Sequence, residues 1–208
     1  MARKKEIGRD KILNIAYKMI IRDGVESLTA RNIAKEGHFS TQPIYLEFSS
    51  MDELKEEVLD RIAENLQDNV LQKEYTGKPL IDMDLSYIDY AQKHQNLFRA
   101  TFVEGKLGSK RISNMLIDLG VKKFNEQYQD TDYDEEKIVN IVVANWITTI
   151  GIASLLVNEI ATFSQTQVIN VLTAQINDAI LNDWLSKSKK IPLFDVKDYK
   201  KQRKSINA

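Results

Sequence analysis

Long stretches of this chain run without a helix breaker: only eight Gly and three Pro are spread over 208 residues. A sheet protein of this size needs far more turn chemistry, so the scarcity favours helices throughout. Apolar residues recur at helical spacing, and nine helices are expected. The first covers Arg9 to Arg22, with Ile12, Ile15, Ala16, Met19 and Ile20 on one stripe and Asp23-Gly24 as its stop. Thr29 caps a second helix that runs to Glu36, and Ser40 to Phe48 forms a third. Ser50 and Glu53 make the S-x-x-E capping pattern, which opens a long fourth helix through Leu54, Val58, Ile62 and Leu66 until the Gly77-Pro79 region breaks it. Five more follow: Leu85 to Lys93, Asn96 to Glu104, Ser109 to Gln129, Glu135 to Glu159 and Gln165 to Lys187. Asp132 and Ser164 are the start signals of the last two.

With 43% apolar and 28% charged residues, the chain has the means to bury a sizeable core. The formal net charge is −1, but its distribution is lopsided. Residues 1 to 50 hold 9 basic and 6 acidic side chains, residues 51 to 186 hold 12 and 22, and residues 187 to 208 hold 8 and 2. A polyanionic partner is therefore expected to meet an end of the chain. The absence of cysteine excludes disulfides, thiolate metal sites and cysteine nucleophiles. His38 and His94 are the sole imidazoles and lie far apart in sequence, which supplies poorly both a zinc site and a Ser/His/Asp arrangement. No enzyme, metal or cofactor is expected. Gly105 to Lys110 resembles a phosphate loop only superficially, lacking the required spacing and a preceding strand. Residues 130 to 136 read as an acidic helix start rather than a metal site. Met1 to Lys11 lacks the apolar run of a secretory signal, so a cytoplasmic location is the expectation. Ile138 to Asn158 carries no charge and is long enough to span a bilayer. Asn140, Asn145, Thr148, Thr149 and Asn158 interrupt it, however, and it reads as a largely buried helix.

The informative block is Arg9 to Leu59. A helix-turn-helix unit needs a small residue where two short helices cross, a residue tolerant of left-handed backbone four positions later, and apolar residues beside and beyond it. Ala34, His38, Phe39 and Ile44 meet that spacing. Glycine is the usual turn residue, yet here it stands one place early as Gly37, and histidine tolerates the positive φ that the bend requires.

The surrounding string, I-A-K-E-G-H-F-S-T-Q-P-I-Y-L-E-F-S-S-M-D-E-L from Ile33 to Leu54, resembles the DNA-binding signature of the TetR family of transcriptional regulators. Ile12-Leu13, Ala16, Gly24 and Leu28-Thr29 precede it in matching order. Two weaker echoes lie downstream, at Tyr87 to Phe102 and at Trp146 to Leu155, where Ile150 replaces a family histidine. The resemblance implies an all-α chain, with a three-helix DNA-binding domain at residues 1 to 50 and a helical effector-binding and dimerisation domain at 51 to 187. A basic tail, 188 to 208, reads as a solvated end.

The chemistry of the block suits DNA. The first residues of a short helix entering the major groove read bases, and Ser40, Thr41, Gln42 and Pro43 begin such a helix with small polar side chains. The Gln42 amide suits a bidentate contact to adenine, while Thr41 and Pro43 offer contact to a thymine methyl. Tyr45 is expected on the sugar-phosphate backbone, where it positions rather than specifies, as the resemblance also implies. Thr29 and the free amides of the second helix, with Arg31 and Lys35 nearby, suit a phosphate. Arg3, Lys4 and Lys5 form an arm for phosphate or a minor groove. Family members usually carry lysine where Met51 stands, so one phosphate contact is expected to be missing or moved.

For the acidic middle of the chain, the resemblance implies a small-molecule effector, of apolar or amphipathic chemistry in our reading, whose binding shifts the spacing of two DNA-reading heads. Tyr90, Phe98, Phe102, Phe124, Tyr128 and Trp146 are the candidate cavity residues, with Tyr87 and Met115 beside them. The last two helices of each of two subunits then form a four-helix bundle that holds a homodimer, which predicts a pseudo-palindromic double-stranded operator. The expected function is a repressor released by its effector. The other reading is a helical interaction protein that acts mainly by binding another protein.

Overall fold

A computed structural model describes residues 7–105, 108–129, 131–182 and 185. Among them lie nine α-helices and no strand. They are α1 (Arg9–Asp23), α2 (Ala30–Gly37), α3 (Gln42–Glu47), α4 (Met51–Asn65), α5 (Pro79–Lys93), α6 (Gln95–Phe98), α7 (Ser109–Gln127), α8 (Glu135–Val157) and α9 (Gln165–Leu181). A 3₁₀ turn, Val25–Ser27, joins α1 to α2, and π-helical turns, Leu66–Val70 and Arg99–Val103, extend α4 and α6. Arg3, Lys4 and Lys5 and the tail from 188 lie outside the described residues.

The first three helices pack by the stripes that helical spacing creates. Ile12, Ala16, Met19 and Ile20 of α1 are buried as expected, but Leu13 takes the place foreseen for Ile15, which is only half-buried. They meet Ile33 and Ala34 of α2, Ile44 of α3, then Phe48, Leu54 and Val58. Ser50 caps α4 by accepting from the Glu53 amide at 3.1 Å. The reciprocal half of the expected capping box shifts by one residue, because the Glu53 carboxylate accepts from the Ser49 amide and hydroxyl at 2.7 and 2.6 Å.

Several boundaries differ from the sequence expectation for local reasons. The third helix is six residues, not nine: Ser40 lies before it and Thr41 occupies its N-cap position. The long fourth helix widens at Leu66 into i→i+5 bonding, Leu71 donating its amide to the Leu66 carbonyl at 2.9 Å, and stops well before Gly77. The fifth begins at Pro79, six residues earlier than expected, because proline suits a first helical turn. Asp82 holds the preceding loop, accepting from the Thr76 amide and hydroxyl and from the Gly77 amide. The sixth is α-helical only to Phe98, then becomes the second π turn. Asp134, not Asp132, caps α8, accepting from the Lys137 amide at 2.8 Å. Ser164 and Gln167 form a full capping box on α9.

α5 is the axis of the larger half. Every residue from Leu80 to Ile88 is buried, because α7, α8 and α9 surround it. α8, long and apolar enough to cross a membrane, packs on these same helices and buries Asn145 and Thr149 among them. Its outer edge stays open: Ile147 is 61% exposed and Gly151 is exposed. On α9 the inner stripe is Val168, Leu172, Ile176 and Ala179, whereas Val171 faces out.

A candidate helix-turn-helix surface and an aromatic core

Thr29 caps α2 by accepting from the Asn32 amide at 3.2 Å, which leaves the hydroxyl hydrogen free to point outward. The helix ends at His38, whose backbone is left-handed (φ 57, ψ 44). The Phe39 amide reaches back to the Ala34 carbonyl at 3.0 Å and the His38 amide to the Lys35 carbonyl at 3.3 Å, which is the Schellman arrangement. Histidine therefore supplies the bend. Gly37 serves a different purpose: a Cβ there would lie 2.0 Å from the Phe39 ring and 2.8 Å from Ile15 Cδ1, so the glycine admits a close approach of side chains.

The turn leads to α3, anchored by Ile44 and followed by Phe48, both buried. Opposite that anchor, Ser40, Thr41 and Gln42 are exposed, Pro43 is half-buried, and Tyr45 is 58% exposed. Thr29, Arg31 and Lys35 of the second-helix region are exposed as well. Met51, standing where the family usually has lysine, is half-buried and packs on the core.

Arg9, which the sequence reading passed over, ties the unit together. It donates to both carboxylate oxygens of Glu57, to Glu53 at 2.6 Å and to the Glu47 carbonyl that ends α3, and its guanidinium lies 4.2 Å over the Phe48 ring. The Glu53 carboxyl is held down to about 2, first by the Ser49 hydroxyl and then by Arg9. Its only sequence sign was an arginine at a helix start with two glutamates four apart downstream. A second link joins the halves, where the Asn96 side-chain amide at the start of α6 donates to the Arg22 carbonyl near the end of α1 at 2.9 Å.

The candidate cavity residues fall into two groups, and no ring contact among the described residues joins them. Trp146 packs edge-on against Tyr87 at 4.7 Å and Phe102 at 5.7 Å, and Phe102 meets Phe98 at 6.0 Å. Tyr90 lies against His94 at 4.3 Å with the rings tilted by 51°. Tyr87, Tyr90, Phe98 and Phe102 enclose with Thr101 about 10 Å³ of free interior, room for at most one water. Phe124 and Tyr128 belong elsewhere, packed on each other at 4.7 Å with Tyr133 beyond. Tyr128 also edges a groove of about 480 Å³ with Pro79 and Ile176. Met115 is half-buried against the core.

Beside the first group, Asp84 is buried and accepts from the Asn145 side-chain amide at 2.7 Å. Burial pushes its carboxyl up to about 7, against the opposing pull of Asn145 and Thr149. The sequence reading named Asn145 and Thr149 only as interruptions of an apolar run. Among the described residues no group of His, Cys, Asp and Glu is placed to hold a metal.

A short exposed helix carried on two others through a left-handed turn defines a helix-turn-helix DNA-binding protein. The profile of the bacterial regulatory proteins of the tetR family matches residues 12–58. The HTH-type transcriptional regulator PksA of Bacillus subtilis (strain 168) is 26% identical over 155 residues, 64% of this chain and 74% of that protein. A tetR-family transcriptional regulator from Streptomyces coelicolor shares the fold with a TM-score of 0.62 at 13% identity, over 99% of each chain. A TetR-like regulator from Rhodococcus sp. RHA1 does so with a TM-score of 0.57 at 16% identity, over 86% of this chain and 100% of that one. Residues 12–58 thus match the bacterial regulatory proteins of the tetR family, and the fold as a whole is shared with solved structures of such regulators.

Proposed function

We propose that this chain is a transcriptional regulator of the TetR type, a cytoplasmic homodimer that represses transcription from a pseudo-palindromic operator and lets go when an apolar or amphipathic small molecule enters its larger half. Residues 1 to 50 are the DNA-binding domain, residues 51 to 187 bind the effector and the second subunit, and 188 to 208 form a basic tail. The observation that carries the reading is the outward face of α3, where Thr41, Gln42 and Tyr45 are exposed opposite buried Ile44. Gln42 reads adenine, and Ser40, Thr41 and Pro43 complete the base contacts. Tyr45, Thr29 and Arg31 hold the backbone, and Arg3, Lys4 and Lys5 follow phosphate or the minor groove.

The dimer forms through the open edges of α8 and α9, where Ile147, Val171 and Leu181 present apolar surface to water. Two-fold symmetry then sets the reading helices about 34 Å apart, one turn of the duplex. The effector displaces the aromatic packing of Tyr90, Phe98, Phe102 and Trp146, with Phe124 and Tyr128 forming a further wall. Titration of the purified protein with DNA from around its own gene, across a salt series, tests the reading. Saturable, sequence-selective binding with a steep salt slope is expected. Equal affinity for all sequences with a flat slope overturns it and favours a helical interaction protein.

A further inference from the structure

We propose that Leu46 is a specificity residue that reads the 5-methyl group of a thymine in the operator, about two base-pair steps from the base met by Gln42; the proposal rests on α3 being the DNA-reading helix. Leu46 is 77% exposed, although it belongs to a helix only six residues long. At about 100° per residue, its side chain lies roughly 40° around the helix from Gln42 and roughly 160° from Ile44. It therefore shares the outermost face with Gln42, on the side opposite the buried anchor. Leu46 stands outside the core that Ile44 and Phe48 join, so nothing in its own chain covers it.

The chemistry of a leucine narrows what it can recognise. It neither donates nor accepts a hydrogen bond, and water gains nothing from it. The floor of the major groove has one apolar feature, the thymine C5 methyl, and contact with it is how an apolar side chain distinguishes a base pair. Four residues of helix rise about 6 Å, close to two base-pair steps of about 3.4 Å. The thymine assigned to Leu46 thus lies about two steps from the base at Gln42, and two-fold symmetry repeats it in the other half-site.

The test selects a preferred duplex for the wild-type protein from a random library, then replaces each thymine in turn with deoxyuridine, which removes the methyl and nothing else. At one position per half-site, uracil weakens wild-type binding about fourfold, the worth of one buried methyl. Leu46→Ala binds the thymine duplex about fourfold less tightly per half-site and is indifferent to uracil at that same position. Its helix content and thermal midpoint match the wild type, because the side chain is exposed. Uracil penalties that all survive in Leu46→Ala belong to Thr41 or Pro43 and overturn the proposal, as does unchanged affinity of the variant. If the wild type selects no preferred duplex, the DNA-reading role of α3 fails and takes the proposal with it.

Discussion

Asn145 on α8 donates its side-chain amide to the Asp84 carboxylate on α5 at 2.7 Å, with both side chains shut away from solvent. The Asn145 side-chain oxygen beside it has no hydrogen-bond partner. The folded chain holds the Asp84 proton up to about pH 7, whereas the ordinary carboxyl value is 3.8. The native state therefore keeps a proton that the unfolded state loses, and this group's contribution to stability falls as pH rises from about 4 to about 7, then levels off. The drop is on the order of a few kcal/mol, at about 1.4 kcal/mol per unit. Denaturant melts at several pH values check it. Asp84→Asn is expected to flatten the dependence, because the introduced amide stays neutral and offers a donor to the Asn145 side-chain oxygen.

The turn between α2 and α3 gives opposite expectations for adjacent residues. His38→Gly relieves a left-handed backbone and is neutral or stabilising, by up to about 1 kcal/mol. Gly37→Ala places a methyl against Phe39 and Ile15 and costs about 1–3 kcal/mol. Thermal melts of the two variants separate the effects.

Glu53 makes the three-helix unit sensitive to acid. Its carboxyl titrates near 2 in the folded chain against an ordinary 4.5, so its stabilising contribution is present above about pH 5 and is lost as pH falls from 4.5 to 2. Acid unfolding of Glu53→Gln is expected to lack that segment of the curve, and Arg9→Met is expected to shorten it, since Ser49 remains as the first donor.

Base reading and backbone holding separate by mutation. Gln42→Ala is expected to cost about 1–3 kcal/mol at the preferred site and little on random DNA, relaxing the base preference at one position. Tyr45→Ala is expected to weaken all sequences alike. The measurement is the ratio of specific to non-specific affinity at fixed salt.

Assembly is tested on the outer edge of α8. Ile147→Lys places a charge in the middle of the proposed subunit contact while disturbing no buried side chain of its own chain. A monomer in sedimentation and a large loss of operator affinity are expected; a dimer of unchanged affinity would place the contact elsewhere.

Helix number, the α2 cap at Thr29 and the left-handed seat at His38 were legible in the sequence because each rests on contacts a few residues apart. What escaped depends on distance along the chain. Arg9 finds Glu53 and Glu57 more than forty residues away, and Asp84 finds Asn145 sixty-one residues away. Asp82 and Asp84 also hid the first turns of α5, since buried carboxylates break the apolar pattern that marks a helix. On α3 the polar residues were evident, but Leu46 was not: an apolar residue in a short helix reads as core until its angle to Ile44 is known.

α1 is held near each tip by a segment of the larger half. Arg9 fastens its start to α4, and the Asn96 amide clasps the Arg22 carbonyl near its finish. A rod seated in two bearings resists tilting. Any load that α4 or α6 puts on these two bearings falls on the ends of α1, and the Arg9 bond to the Glu47 carbonyl carries it on to the close of α3.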